Sequence, residues 1–123
     1  MSYELTIKKR EDVLWVKATG TRSLQTVLAM SEDIFTACIE QNTTKVLVDV
    51  RALEGRLETM EAYQIPDKHF PKMRDRSVIT RAAIVDLEEF RNIYKFFENV
   101  AVNRGFALRV FSDLDEALEW LNE

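Results

Sequence analysis

Between Lys45 and Arg51 the chain reads Val46-Leu47-Val48-Asp49-Val50, apolar and mostly β-branched, with almost no alternation. A strand wetted on one face alternates apolar and polar residues, whereas a short run without alternation suits an inner strand of a parallel sheet covered on both faces. Such a strand cannot stand alone. It needs parallel neighbours, right-handed crossovers between them and helices layered on the sheet, so the rest of the chain has to supply those patterns.

It does so in order. Tyr3, Leu5 and Ile7 alternate with Glu4, Thr6 and Lys8, the period of two expected of a half-buried strand. After a turn at residues 9–12, the stretch 13–19 sets Leu14, Val16 and Ala18 against Trp15 and Lys17 and makes an antiparallel partner, ended by Gly20. Ser23 is placed to cap a helix whose stripe Leu24, Val27, Leu28, Ile34, Phe35 and Cys38 keeps helical spacing up to Gln41-Asn42, which puts Cys38 in the core. Residues 45–50 form the inner strand, with Asp49 and Arg51 at its carboxyl end. Residues 58–75 read as helix interrupted at Pro66, whose ring disfavours helical geometry at Ile65 and removes a backbone donor.

Residues 81–85 are the next strand, and Asp86-Leu87-Glu88-Glu89 fits a capping box that opens a helix running to about Arg104, with Gly105 as its left-handed cap. Residues 106–111 make a further strand, and Asp113-Leu114-Asp115-Glu116 opens a last helix through Leu118, Trp120 and Leu121. The expected fold class is α/β with the order ββαβαβαβα. Its sheet is mixed but mostly parallel, with the first strand antiparallel at or near an edge, in one domain over residues 1–123.

Several functions are disfavoured at this level. A formal net charge of −4 argues against a dedicated nucleic-acid binder, because neutralising phosphates needs clustered Lys and Arg on a basic face. Cys38 is the only cysteine and His69 the only histidine, so neither a disulfide nor a thiolate zinc cage is available, and no metal or organic cofactor is expected. A Ser-His-Asp or Cys-His arrangement would need His69 beside a nucleophile, and Cys38 lies on an apolar helix face. There is no Walker loop and no G-x-G-x-x-G. The start MSYELTIKK lacks an apolar signal core, and no apolar run approaches the roughly 18 residues of a membrane span, so a cytoplasmic location is expected.

The order of elements resembles the SpoIIAA-like family of small bacterial proteins. The resemblance rests on Lys45-Val46-Leu47-Val48-Asp49-Val50, on Ala82-Ala83-Ile84-Val85-Asp86, and on the ending Phe111-Ser112-Asp113-Leu114-Asp115-Glu116-Ala117-Leu118-Glu119-Trp120-Leu121. It implies a STAS-like fold similar to that of anti-sigma-factor antagonists, with a further likeness to Sec14-type lipid-binding folds. Phosphorylatable STAS domains place an Asp-Ser-Ser-Gly or similar motif shortly after the strand that ends here at Asp49. In this chain the stretch is Leu57-Glu58-Thr59-Met60, so the resemblance puts Glu58 at the switch serine and Thr59 beside it. Read from the residues alone, Glu58 is also an ordinary first-turn glutamate favoured by the helix dipole.

Candidate binding residues follow from the tendency of ligands to gather beyond the carboxyl ends of parallel strands, where Asp49, Arg51, Asp86, Ser112 and Asp113 fall. Asp86 and Asp113 have a competing role as helix caps, and Asp49 as an acceptor for turn N–H groups in residues 51–55. Lys68, Lys72, Arg74, Arg76 and Arg81, interleaved with Phe70 and Met73, offer either a docking surface for an acidic partner or a phospholipid head group, or a solvated helix face. Phe90, Ile93, Tyr94, Phe96, Phe97, Val100 and Ala101 form an apolar sector wider than one sheet-facing stripe needs. Neighbouring helices would cover it, or else a second copy or an apolar ligand, with Tyr94 and Phe97 as contacts. The function expected is that of a non-enzymatic interaction module binding a protein partner, with a homodimer through the aromatic helix. The alternative is the binding or carrying of a small apolar or lipid-like ligand.

Overall fold

In a computed structural model of the 123-residue chain, residues 3–55, 79–103 and 107–123 are described, without the side chains of residues 91–94, 97 and 100. Strand β1 (Tyr3–Arg10) turns at Glu11 into β2 (Val13–Thr21), and the two pair antiparallel in unbroken register from Tyr3 opposite Gly20 to Arg10 opposite Val13. Helix α1 (Leu24–Gln41) crosses to β3 (Lys45–Glu54), which lies parallel to β2. Strand β4 (Arg81–Val85) is parallel to β3. A 3-10 turn (Glu88–Phe90) then leads into α2 (Arg91–Asn103). Strand β5 (Leu108–Phe111) closes the sheet parallel to β4, and α3 (Leu114–Leu121) follows it. The sheet order is β1-β2-β3-β4-β5, with the antiparallel strand at one edge as the alternation pattern predicts.

The two faces of β3 explain its unbroken apolar run. Val46 points to one face with Leu14, Val16, Ala82 and Leu108, where Ile34 and Cys38 of α1 and Ala101 of α2 cover them. Leu47 points to the other with Val13, Ala83 and Val85, under Ala117 and Leu121 of α3. Helix α3 has eight residues, too few to persist on propensity alone. Burial of Leu121, worth about 1.5–3 kcal/mol for a side chain of this size, contributes to holding it on the sheet, with Ala117 buried beside it.

Local signals set the ends of α1. The Ser23 hydroxyl accepts from the Thr26 N–H (3.2 Å) while the Ser23 N–H donates to Thr26 Oγ1 (2.9 Å), and Asn42 adopts the left-handed conformation that stops the helix. Three expectations need correction. Strand β2 does not end at Gly20 but passes through it, at φ 121, a backbone region that L side chains rarely adopt. Strand β3 does not end at Val50. Lys17 pairs with Asp49 but Thr19 with Ala52, so β3 takes in one extra residue as a bulge, and Leu53 returns to the core on the α1 face. Nor does a reciprocal Asp86–Glu89 box open the third crossover: the chain enters α2 through the 3-10 turn, and the Asp86 carboxylate bonds the Leu87 N–H instead (2.7 Å). The expected helical segment at residues 58–75 and the cap at Gly105 lie outside the described residues.

Candidate functional site

The carboxyl ends of the four parallel strands meet at one end of the sheet. Arg22 follows β2 directly, and its backbone N–H donates to the Glu54 carbonyl (2.7 Å), joining the ends of β2 and β3. Its guanidinium turns inward: Nη1 donates to Asp86 Oδ2 (2.8 Å), while Nη2 donates to Asp86 Oδ1 (3.2 Å) and to the Val50 carbonyl (3.3 Å). The guanidinium also lies over the Phe90 ring, 4.8 Å from its centroid. Asp86 follows β4, donates its own N–H to the Phe111 carbonyl (2.9 Å), and has a side chain 0% exposed against 7% for Arg22. Each carboxylate oxygen is thus engaged, and one ion pair connects β2 and β4 across β3 while Asp86 holds β5 through its backbone. Placing Arg22 required the fold: its partner lies 64 residues away, and only its position between a strand end and the Ser23 cap sets it apart in the sequence.

A second charged pair sits at the β3 bulge. Asp49 Oδ1 accepts from the backbone N–H of Arg51 (3.1 Å) and from its Nε (3.0 Å), and Oδ2 accepts from Nη2 (2.9 Å). Asp49 is level with Val85, the last residue of β4, so it faces the rim even though β3 continues past it. Burial acts most strongly on the Asp49 carboxyl and raises its pKa. The hydrogen bonds from Arg51, with the charges of Arg51 and Lys17, outweigh burial together and hold the carboxyl below its ordinary 3.8. Hydrogen bonding to Asp49 raises Arg51 in turn, with the charges of Asp49 and Asp113 adding to it. The Arg51 side chain is 41% exposed and Asp49 16%, so a held guanidinium faces solvent. Asp113 caps α3 as expected, accepting from the Asp115 N–H (3.0 Å).

The remaining sequence candidates divide in two. Of the basic cluster, Arg81 lies among the described residues: its guanidinium donates to the Trp120 carbonyl and lies 5.1 Å from the Trp120 ring centroid, fastening α3 to the sheet. Cys38 is fully buried, and burial pushes its thiol above the ordinary value, which suits an inert core position. Glu58, Thr59, Lys68, His69, Lys72, Arg74 and Arg76 lie outside the described residues, as do the side chains of Tyr94 and Phe97. Among the described residues no group of three or more His, Cys, Asp or Glu could hold a metal ion, and no helix is long and apolar enough to cross a membrane.

Comparison with solved structures places this architecture among known folds. An anti-sigma factor antagonist from Mycobacterium paratuberculosis superposes with TM-score 0.63 at 16% identity, covering 99% of this chain and 96% of that one. An uncharacterised protein with a SpoIIAA-like fold from Shewanella loihica gives 0.56 at 20% identity, over 97% and 93% of the two chains. The anti-sigma factor antagonist SpoIIAA in its unphosphorylated form gives 0.54 at 14% identity, over 98% of each. Identities this low establish the shared fold alone, and no curated protein matches the chain. The SpoIIAA-like sequence profile spans residues 13–122, from the first residue of β2 to the end of α3, and the chain belongs to the SpoIIAA-like family.

Proposed function

We propose that this protein acts by protein–protein contact, in the manner of an anti-sigma-factor antagonist, and carries out no chemistry of its own. The observation that carries this reading is the Asp49–Arg51 pair. A bulge on β3 fixes a half-exposed guanidinium by two side-chain hydrogen bonds, level with the ends of β4 and β5. A planar cation held in one orientation is suited to a carboxylate on a partner's surface, and such charges set register and specificity. The likeness to two anti-sigma factor antagonists over nearly their whole length supports the same class of partner.

The contact proposed is constitutive and cytoplasmic. Where the family resemblance puts a switch serine this chain has Glu58, whose charge needs no kinase. The test is calorimetric titration of the purified protein against the anti-sigma factors of its source organism. One of them is expected to bind, and Arg51→Glu is expected to weaken that binding by about tenfold or more, equivalent to about 1.4 kcal/mol. Absence of binding across the set, together with an apolar or lipid-like ligand of stoichiometric mass in native mass spectra, would overturn this reading in favour of a carrier. An Arg51→Glu variant that binds as wild type would remove the rim as the contact.

A further inference from the structure

The two edges of the sheet are finished differently. Strand β5 has four residues, and the Glu98 carboxylate of α2 accepts the Val110 N–H (2.6 Å), filling a backbone position that another strand would use. Strand β1 has eight residues, pairs with β2 without a bulge and contains neither Pro nor Gly, so alternate N–H and C=O groups along it point away from the sheet. Lysine on an edge strand ordinarily guards it, and β1 carries Lys8, Lys9 and Arg10. Two of these are drawn back onto their own protomer. Lys9 Nζ donates to the Gln41 carbonyl at the end of α1 (3.0 Å), and the Arg10 guanidinium lies 4.8 Å from the Trp15 ring centroid.

We infer that β1 is a self-complementary edge that pairs antiparallel with β1 of a second copy about a two-fold axis at Thr6. A two-fold normal to the sheet keeps like faces together, so paired residues must share a side of the strand. With Thr6 opposite Thr6, the pairs are Glu4 with Lys8, Leu5 with Ile7, and Tyr3 with Lys9, each occurring twice. On the face that carries Trp15, Glu4 and Lys8 are both exposed and make no hydrogen bond or ion pair among the described residues, so the register places opposite charges together. On the face under α1, Ile7 is 36% exposed while Leu5 packs against the core, and the register covers the one with the other. Centring the axis on Ile7 instead would set Leu5 against Lys9. The product is a continuous ten-stranded sheet, and the small edge interface makes it a weak dimer.

This inference is independent of the rim contact proposed above, and Arg51→Glu is expected to dimerise as wild type. Sedimentation equilibrium of the full chain over about 1–500 μM should show a monomer–dimer equilibrium. Glu4→Lys and Lys8→Glu, both on an exposed strand edge, should each weaken it by about tenfold or more, since each variant sets like charges opposite twice. A 1:1 mixture of the two variants should form a heterodimer, and the double variant Glu4→Lys/Lys8→Glu should recover the wild-type constant. Circular dichroism confirms that each variant is folded. A wild-type chain monomeric throughout would overturn the inference, as would single variants that dimerise unchanged or a mixture that fails to form heterodimers.

Discussion

Replacing Asp86 by alanine removes both carboxylate oxygens that accept from the Arg22 guanidinium, leaving it the Val50 carbonyl, and removes the acceptor of the Leu87 N–H, at a position where the side chains are 0% and 7% exposed. The cation left behind has little access to water, and breaking a buried pair from one side costs about 3–5 kcal/mol. A domain of this size has about 5–15 kcal/mol of stability in total, so the variant should lose a large fraction of it. At about 4 °C per kcal/mol, the melting temperature should fall by about 12–20 °C. The companion variant Arg22→Met/Asp86→Leu removes both charges and places a thioether near the Phe90 ring, and it should recover most of that loss. Urea unfolding followed by circular dichroism, with Arg22→Met and Asp86→Leu as the single steps, gives the coupling energy of the pair. An Asp86→Ala cost below about 1 kcal/mol, or a double variant no more stable than the singles, would refute the view that this is a desolvated ion pair joining strand ends.

Two further outcomes follow from the geometry. The Asp49 carboxyl should titrate below 3.8 in NMR, and Arg51→Ala should move its midpoint upward, because the guanidinium's hydrogen bonds and charge are lost and burial is then opposed only by the residue-51 backbone N–H and the charge of Lys17. Since the folded value is the lower one, the pair stabilises the protein above the ordinary carboxylate pKa, and that stabilisation is lost as pH falls through the folded value; an unmoved midpoint in Arg51→Ala would contradict the assignment. Ser23→Ala should destabilise the chain by about 0.5–2 kcal/mol in urea, through loss of the acceptor for the Thr26 N–H, and a change within error would mean that Thr26 holds the helix start without it.

Patterns with a short period were legible in the sequence, because strand and helix repeat every two and about 3.6 residues and their caps lie within one turn. The run at Val46 announced an inner parallel strand, the alternation of Tyr3, Leu5 and Ile7 an edge partner, and Ser23 and Asp113 the starts of α1 and α3. Asp49 was expected at the carboxyl end of its strand, whereas β3 runs on to Glu54; its bond to the Arg51 N–H is the local contact that its sequence position suggests. What sequence could not supply were events that depend on two strands at once. The bulge opposite Lys17 and Thr19 is a mismatch in pairing and appears in neither strand alone.

Arg22 and Asp86 show the same division most clearly. By itself Asp86 resembles a helix cap and Arg22 draws no reading, because near neighbours are all that the sequence offers. The sheet brings β2 and β4 to either side of β3, excludes water from both side chains, and converts a carboxylate read as a cap or rim residue and a cation not singled out in the sequence into one buried pair. Hydrophobic periodicity is written along the chain and determines which elements form. Burial of charge depends on what else arrives at the same place, so only the assembled fold could decide it.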